Sequence, residues 1–133
     1  SEAIRNSIQN AMKSAGAAAS DVSHVNAHGV STIEGDAAEA AAIHETLGDV
    51  PVTAHKSLFG NLGAGCGAVE LVGSVLALQH AEVPPTLNYQ TPDPRCPVNV
   101  VHGDPLALTK PLAVKLSQSQ TGQAVALVIG AND

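Results

Sequence analysis

Between Gly60 and Gly67 the chain carries four glycines, and it then runs into an apolar stretch from Ala68 to Ala81. Glycines at this density let backbone approach closer than a Cβ allows, and a helix that follows presents free N–H groups at its start. The stretch has helical length, and its only polar residues are Glu70, Ser74, Gln79 and His80. A helix apolar nearly all round belongs inside a layered structure, which confines the chain to folds with a helix between other layers. No Gly-Lys-Ser/Thr sequence follows the loop, which excludes a P-loop. The glycine alternation also lacks an acidic partner about 20 residues on, so it is a poor dinucleotide fingerprint. A tight strand-to-helix turn packed on a neighbour fits the same residues.

The remaining pattern alternates strands with helices. Ile4, Ile8, Ala11, Met12 and Ala15 recur at helical spacing, with Gly16 as the stop. Val22 to Ala27 reads as a strand with Val25 and Ala27 on one side and His24, Asn26 and His28 on the other. A second helix is expected over Glu34 to Leu47, capped by Ser31 or Thr32, with Asp36 and Glu39 early in it and Ala40, Ile43 and Leu47 buried. Val50 to Ala54 is the next strand. A Pro-rich connection then leads to strand candidates at Val98 to His102, Ala113 to Ser117 and Ala124 to Ile129. This order predicts a layered α/β mixed sheet with one buried helix, in a single domain over residues 1–133.

Composition narrows the function classes. The hydrophobic fraction is 44% but aromatics are 2%, so the core must be built from Ala, Val, Leu and Ile. Charged residues make up only 14%, which predicts that another chain or domain covers part of the surface. Beginning directly in a helix, without a leading strand, fits a start inside a larger fold. A net charge of −6 without a basic cluster points away from nucleic acid and from anionic membrane. The longest apolar run, Leu71 to Leu78, is interrupted by Gly73 and Ser74 and falls short of a membrane span. Cys66 and Cys96 lack CxxC spacing and fit free thiols of a reducing, cytoplasmic compartment.

Several residues can carry chemistry. His28 closes a strand just before Gly29, and pockets of α/β sheets form at strand ends. His24 and His28 do not make a metal pair, because four strand residues separate them by ~13 Å. No metal or other cofactor is expected. Glu70 on the apolar helix needs a cation, since an unpaired buried carboxylate is very costly. Lys56 is the nearest one in sequence, so a Lys56–Glu70 ion pair is expected. Cys66, near the helix start, fits either a reactive thiol or a small buried residue in a crowded turn.

Two segments then carry a resemblance. Asn26-Ala27-His28-Gly29-Val30-Ser31-Thr32, followed by Gly35-Asp36 and Glu39, resembles the NAHGTST…GDxxE segment of β-ketoacyl-acyl-carrier-protein synthases. Lys56-Ser57, Gly60-Asn61, Gly67 and Glu70 resemble their KSxxGHxxGAAGxxE segment, and Pro84-Pro85-Thr86-Leu87-Asn88 resembles the PPTxN turn that follows. The resemblance implies the C-terminal half of a thiolase-type fold and an acyltransferase activity, decarboxylative Claisen condensation in fatty-acid or polyketide synthesis. It implies that a Cys in the N-terminal half holds the acyl group while two His of the C-terminal half act on the malonyl carrier. His28 then matches the first His, Asn61 stands at the second, and Lys56 and Glu70 are the structural pair. Asp36 and Glu39 support the site, and Ser31 and Thr32 contact the pantetheine arm. The implied partners are an acyl carrier protein or acyl thioester, and the missing half or a partner ketosynthase subunit.

Four departures stand out. The half with the nucleophile lies outside this sequence, so the chain alone should condense nothing. Val30 replaces a Thr, Asn61 replaces His, and the Ser117–Gln123 loop is short and lacks the usual Phe. An Asn amide can still donate to an oxyanion as a neutral His does. A non-catalytic ketosynthase-like subunit and an acyl- or pantetheine-binding module are the alternative readings.

Overall fold

The structure, a computed structural model, describes residues 2–131. Helix α1 (Glu2–Ala15) buries Ile4, Ile8 and Met12, which recur every four residues. Strand β1 (Val22–Asn26), helix α2 (Ile33–Leu47) and strand β2 (Pro51–Thr53) form a parallel βαβ unit. A short helix α3 (Lys56–Phe59) and the long helix α4 (Cys66–His80) follow. The remaining strands are β3 (Glu82–Val83), β4 (Asn99–Val100), β5 (Leu106–Ala107), β6 (Leu112–Gln118) and β7 (Ala124–Gly130). The main sheet has the order β4-β2-β1-β6-β7, parallel except for the β6–β7 hairpin, and β3 and β5 pair as a separate antiparallel ribbon. The layered mixed α/β architecture is the one expected.

The two faces of this sheet differ in chemistry. Period-two alternation sends Val25, Val114 and Leu116 toward α1 and α2, where they pack with Ile8, Ile43 and Leu47. The opposite face, under α4, is polar: Asn26 and Lys115 are register partners on β1 and β6, and both are buried. Helix α4 meets them with Cys66, Glu70, Ser74 and Ala77, a single stripe at helical spacing. The expectation of a helix buried all round therefore holds on one side only. Val69 (43% exposed), Val72 (57%) and Leu76 (47%) face outward, so α4 turns Glu70 and Ser74 in and these large apolar residues out. No helix among the described residues is long and apolar enough to cross a membrane.

Several boundaries moved for local reasons. Helix α4 starts at Cys66 because Gly63–Gly65 already forms a 3-10 turn within the glycine loop. Helix α3, four residues long, is too short to show a period in sequence. The strand expected at 98–102 contracts to Asn99–Val100. Val101 still donates to Val52 O at 2.8 Å, but its carbonyl accepts the Thr86 N–H at 2.7 Å.

Candidate functional site

The site is built where β1 ends against α2, α3 and α4. Gly29 turns the chain with φ +52°, and a Cβ there would lie 2.8 Å from Ala54 Cβ, so only glycine fits. The turn is pinned from α2: Glu39, 3% exposed, accepts the His28 N–H at 2.7 Å and the Gly29 N–H at 2.9 Å. Burial pushes the Glu39 carboxyl up, opposed by those two N–H groups. Asp36 accepts the Ser31 N–H at 3.1 Å, and burial raises its pKa as well. Thr32 occupies the α2 N-cap without a side-chain cap bond, so neither Ser31 nor Thr32 caps the helix as expected. Asp36 bonds back to this turn instead, while Ser31 takes φ +66°.

Beneath the turn lies a buried charge cluster. Lys56 Nζ donates to Glu70 Oε2 at 2.9 Å and to His28 O at 2.6 Å, which is the ion pair expected from sequence. A second cation, Lys115 on β6, donates to Glu70 Oε1 at 3.1 Å and to the carbonyls of Ala27, at 3.3 Å, and Leu116. Sequence reasoning missed Lys115. Its signal was a lone charge inside the apolar run Leu112–Leu116, where the strand period puts it on the side opposite Val114 and Leu116. Burial lowers the Lys115 pKa against the pull of Glu70.

His28 sits at the top of this cluster. Its Nδ1 lies 3.3 Å from Lys56 Nζ, and an ammonium can only donate. Nδ1 is therefore the acceptor, which leaves the ring proton on Nε2. Burial lowers the His28 pKa, helped by Lys56 and then Lys115 and opposed by Glu70, so the ring is held neutral.

Below α4 the polar layer continues. Asn26 Nδ2 donates to Ser74 Oγ and Glu70 O, each at 2.8 Å, and lies 3.2 Å from His55 Nδ1. His24 is fully buried with its Nδ1 2.8 Å from Ser23 Oγ. Burial, then His55, lowers its pKa to about 4.

Two cavities flank the Gly29–Thr32 segment. The first, about 810 Å³, is lined by His28, Thr32, Asn61, Cys66 and the β6–β7 turn from Ser117 to Gln120 with Gln123. That turn is short and closed on itself, with Ser119 N donating to Gln123 O at 2.9 Å. The second, about 640 Å³, is lined by Ser31, Thr32, Asp36, Glu39, Lys56 and an apolar floor including Ile43 and Val52. His28, Asn61 and Thr32 are thus brought to one cavity. Lys56, Glu39 and Glu70 support them from below, and Ser31 opens to the other side.

The mixed sheet with its polar inner layer is the fold of thiolase-like ketosynthases. A family model described as the β-ketoacyl synthase C-terminal domain matches residues 1–90, and the chain belongs to that family. A 3-oxoacyl-acyl-carrier-protein synthase 2 of Synechocystis sp. is 38% identical over 121 residues, covering 88% of this chain and 29% of that protein. Among solved structures, a β-ketoacyl synthase from Burkholderia phymatum superposes with a TM-score of 0.94 at 29% identity, over 98% of this chain and 32% of that one. The AntDE:AntF complex, a type II polyketide ketosynthase with its acyl-carrier protein, superposes with a TM-score of 0.92 at 34% identity, over 98% and 33%. The chain spans about a third of the length of these relatives.

Proposed function

We propose that this chain forms the C-terminal part of the active site of a β-ketoacyl-acyl-carrier-protein synthase. There it serves decarboxylative Claisen condensation in fatty-acid or polyketide synthesis, together with a half that carries the nucleophilic Cys. The observation that carries this reading is the neutral His28 ring. Its Nδ1 is tied to Lys56, and it shares a cavity with the Asn61 amide. Two neutral donors at one cavity suit the thioester oxygen of a malonyl group, where negative charge develops as CO₂ leaves. The resulting enolate carbon then attacks the acyl thioester held by the Cys, and the Cys thiolate departs. Donors fixed before the reaction need no reorganisation, and one such donor is worth about 10²–10³ in rate.

Thr32, which lines this cavity, is proposed to contact the pantetheine arm, and Ser31, on the far side of the segment, to shape it through the turn. An acyl carrier protein is the proposed partner, since the related AntDE ketosynthase is seen with one. The rest of a ketosynthase would cover the outward apolar side of α4. Free Cys66 and Cys96 fit a cytoplasmic setting.

The test is to combine this chain with its Cys-bearing half and follow CO₂ release from a malonyl carrier. His28→Ala should slow it at least 100-fold, and Asn61→His should hold or raise the rate. A folded complex with an intact Cys that releases no CO₂ rules the reading out.

A further inference from the structure

The Asn61 side chain is held by one end only. The Gly63 N–H lies 3.0 Å from one terminal atom of its amide, and a backbone N–H can only donate, so that atom is Oδ1. Cys66, the first residue of α4 and 4% exposed, places its Sγ 3.1 Å from the same oxygen. The Leu62 N–H in turn points at Sγ from 3.0 Å. The direction of the whole chain follows. Leu62 donates to the sulfur, the thiol proton goes to Asn61 Oδ1, and Gly63 donates to that oxygen as well. With two donors on Oδ1, the amide end left to face the 810 Å³ cavity is the Nδ2 group with its two protons. A rotated amide would set Nδ2 against the Gly63 N–H and turn an acceptor toward a developing negative charge.

We infer that Cys66 is a positioning residue, which fixes Asn61 in the donor orientation that the proposed condensation requires. The inference rests on the function proposed above, and it gives this thiol a role other than nucleophile. Its proton is committed to Asn61 and its lone pair to Leu62, a geometry that orients an amide.

The test uses the full-length protein that bears this chain. Cys66→Ala removes one of two donors to Oδ1 and strands the Leu62 N–H. It should lower kcat for malonyl-carrier decarboxylation about tenfold while KM stays within about twofold. Cys66→Ser, which can accept from Leu62 and donate to Asn61, should restore most of the rate. In an Asn61→Ala background, Cys66→Ala should cost nothing further, because its target is gone. If the two losses multiply, or if Asn61→Ala slows the enzyme and Cys66→Ala does not, the positioning role is overturned. If Asn61→Ala itself leaves kcat unchanged, the proposed use of Asn61 fails instead. The orientation is read separately by Asn-selective ¹⁵N labelling: the Asn61 side-chain amide pair should be dispersed in wild type and Cys66→Ser, and collapse toward free-asparagine shifts in Cys66→Ala. An unchanged amide pair in Cys66→Ala overturns the inference whatever the activity.

Discussion

Glu70 is fully buried between two ammonium groups, and this sets how the cluster answers to substitution. Glu70→Gln leaves Lys56 and Lys115 facing each other without their shared anion. Removing one partner of a buried pair costs about 3–5 kcal/mol, and here two cations lose theirs at once. Lys115→Met removes the cation whose pKa burial already depresses, and Glu70 keeps Lys56. Its cost should be smaller, on the order of 1–3 kcal/mol. Urea unfolding of the pair of variants checks the order, and a Lys115→Met as damaging as Glu70→Gln would refute it. Because Lys115 is one of the cations holding His28 neutral, Lys115→Met should also raise the His28 pKa in an NMR titration.

His24 makes a second claim at this scale. Its folded pKa is about 4 against 6.5 for an ordinary His, and its Nε2 has no partner among the described residues. The unfolded chain therefore binds the proton first as pH falls, so stability drops between pH 6.5 and pH 4. The full difference is on the order of 3 kcal/mol. Raised pKa values at Asp36 and Glu39 act in the opposite direction above their ordinary 3.8 and 4.5, inside much the same range. The lowered pKa values of His28 and His55 act in the same direction as His24, so the comparison is with His24→Gln. That variant should lose less stability than wild type between pH 7 and pH 4.5; an equal loss would place the effect elsewhere.

Among the elements, α4 shows what was legible in sequence and what was not. Its length and apolar content were plain, as were the glycine loop before it and the need of Glu70 for Lys56. Hydrophobicity alone does not say which side of such a helix meets the sheet, and here the sheet side is the one holding Glu70 and Ser74. Lys115 stayed hidden because its contact with Glu70 follows from the β1–β6 register, which pairs it with Asn26, 89 residues away. The two N–H groups on Glu39 were invisible for a related reason: they depend on how α2 folds back over the β1 turn. His28 and Asn61 could be named in advance because they lie in local motifs, whereas the bond between Cys66 and Asn61 needed the 3-10 turn that brings them together. One consequence of the α4 packing is directly testable. A Cβ on Gly73 would overlap the His55 ring, which lies beside Asn26. Gly73→Ala should therefore destabilise by about 1–3 kcal/mol, although alanine is the better helix former by ~1 kcal/mol. A neutral or raised Tm would show that His55 moves aside freely.

At the scale of the whole molecule, the apolar residues that a helix ordinarily buries lie on the outside. Val69, Val72, Val75 and Leu76 on α4 are 42–57% exposed, and Val125 (56%) and Leu127 (43%) on the same side of the sheet extend the surface onto β7. Large apolar side chains exposed together on one side of the sheet mark a contact face, and this chain spans about a third of relatives that share its fold. The charged fraction of 14% makes sense on the same terms, since a molecule with one face covered needs fewer charges. If the proposed Cys-bearing half docks here, a charge at the centre of the face separates two effects. Val72→Glu should leave the fold and Tm of the isolated chain unchanged in circular dichroism, because the residue is exposed there. The same change should abolish assembly with the other half and the CO₂ release that depends on it, because a lone carboxylate would be buried at the contact. Lys13→Glu, an exposed charge reversal on α1 away from this face, should leave both properties as they are. A Val72→Glu chain that still assembles and decarboxylates like wild type would mean that the other half sits elsewhere, and that α4 keeps its apolar side for a different partner.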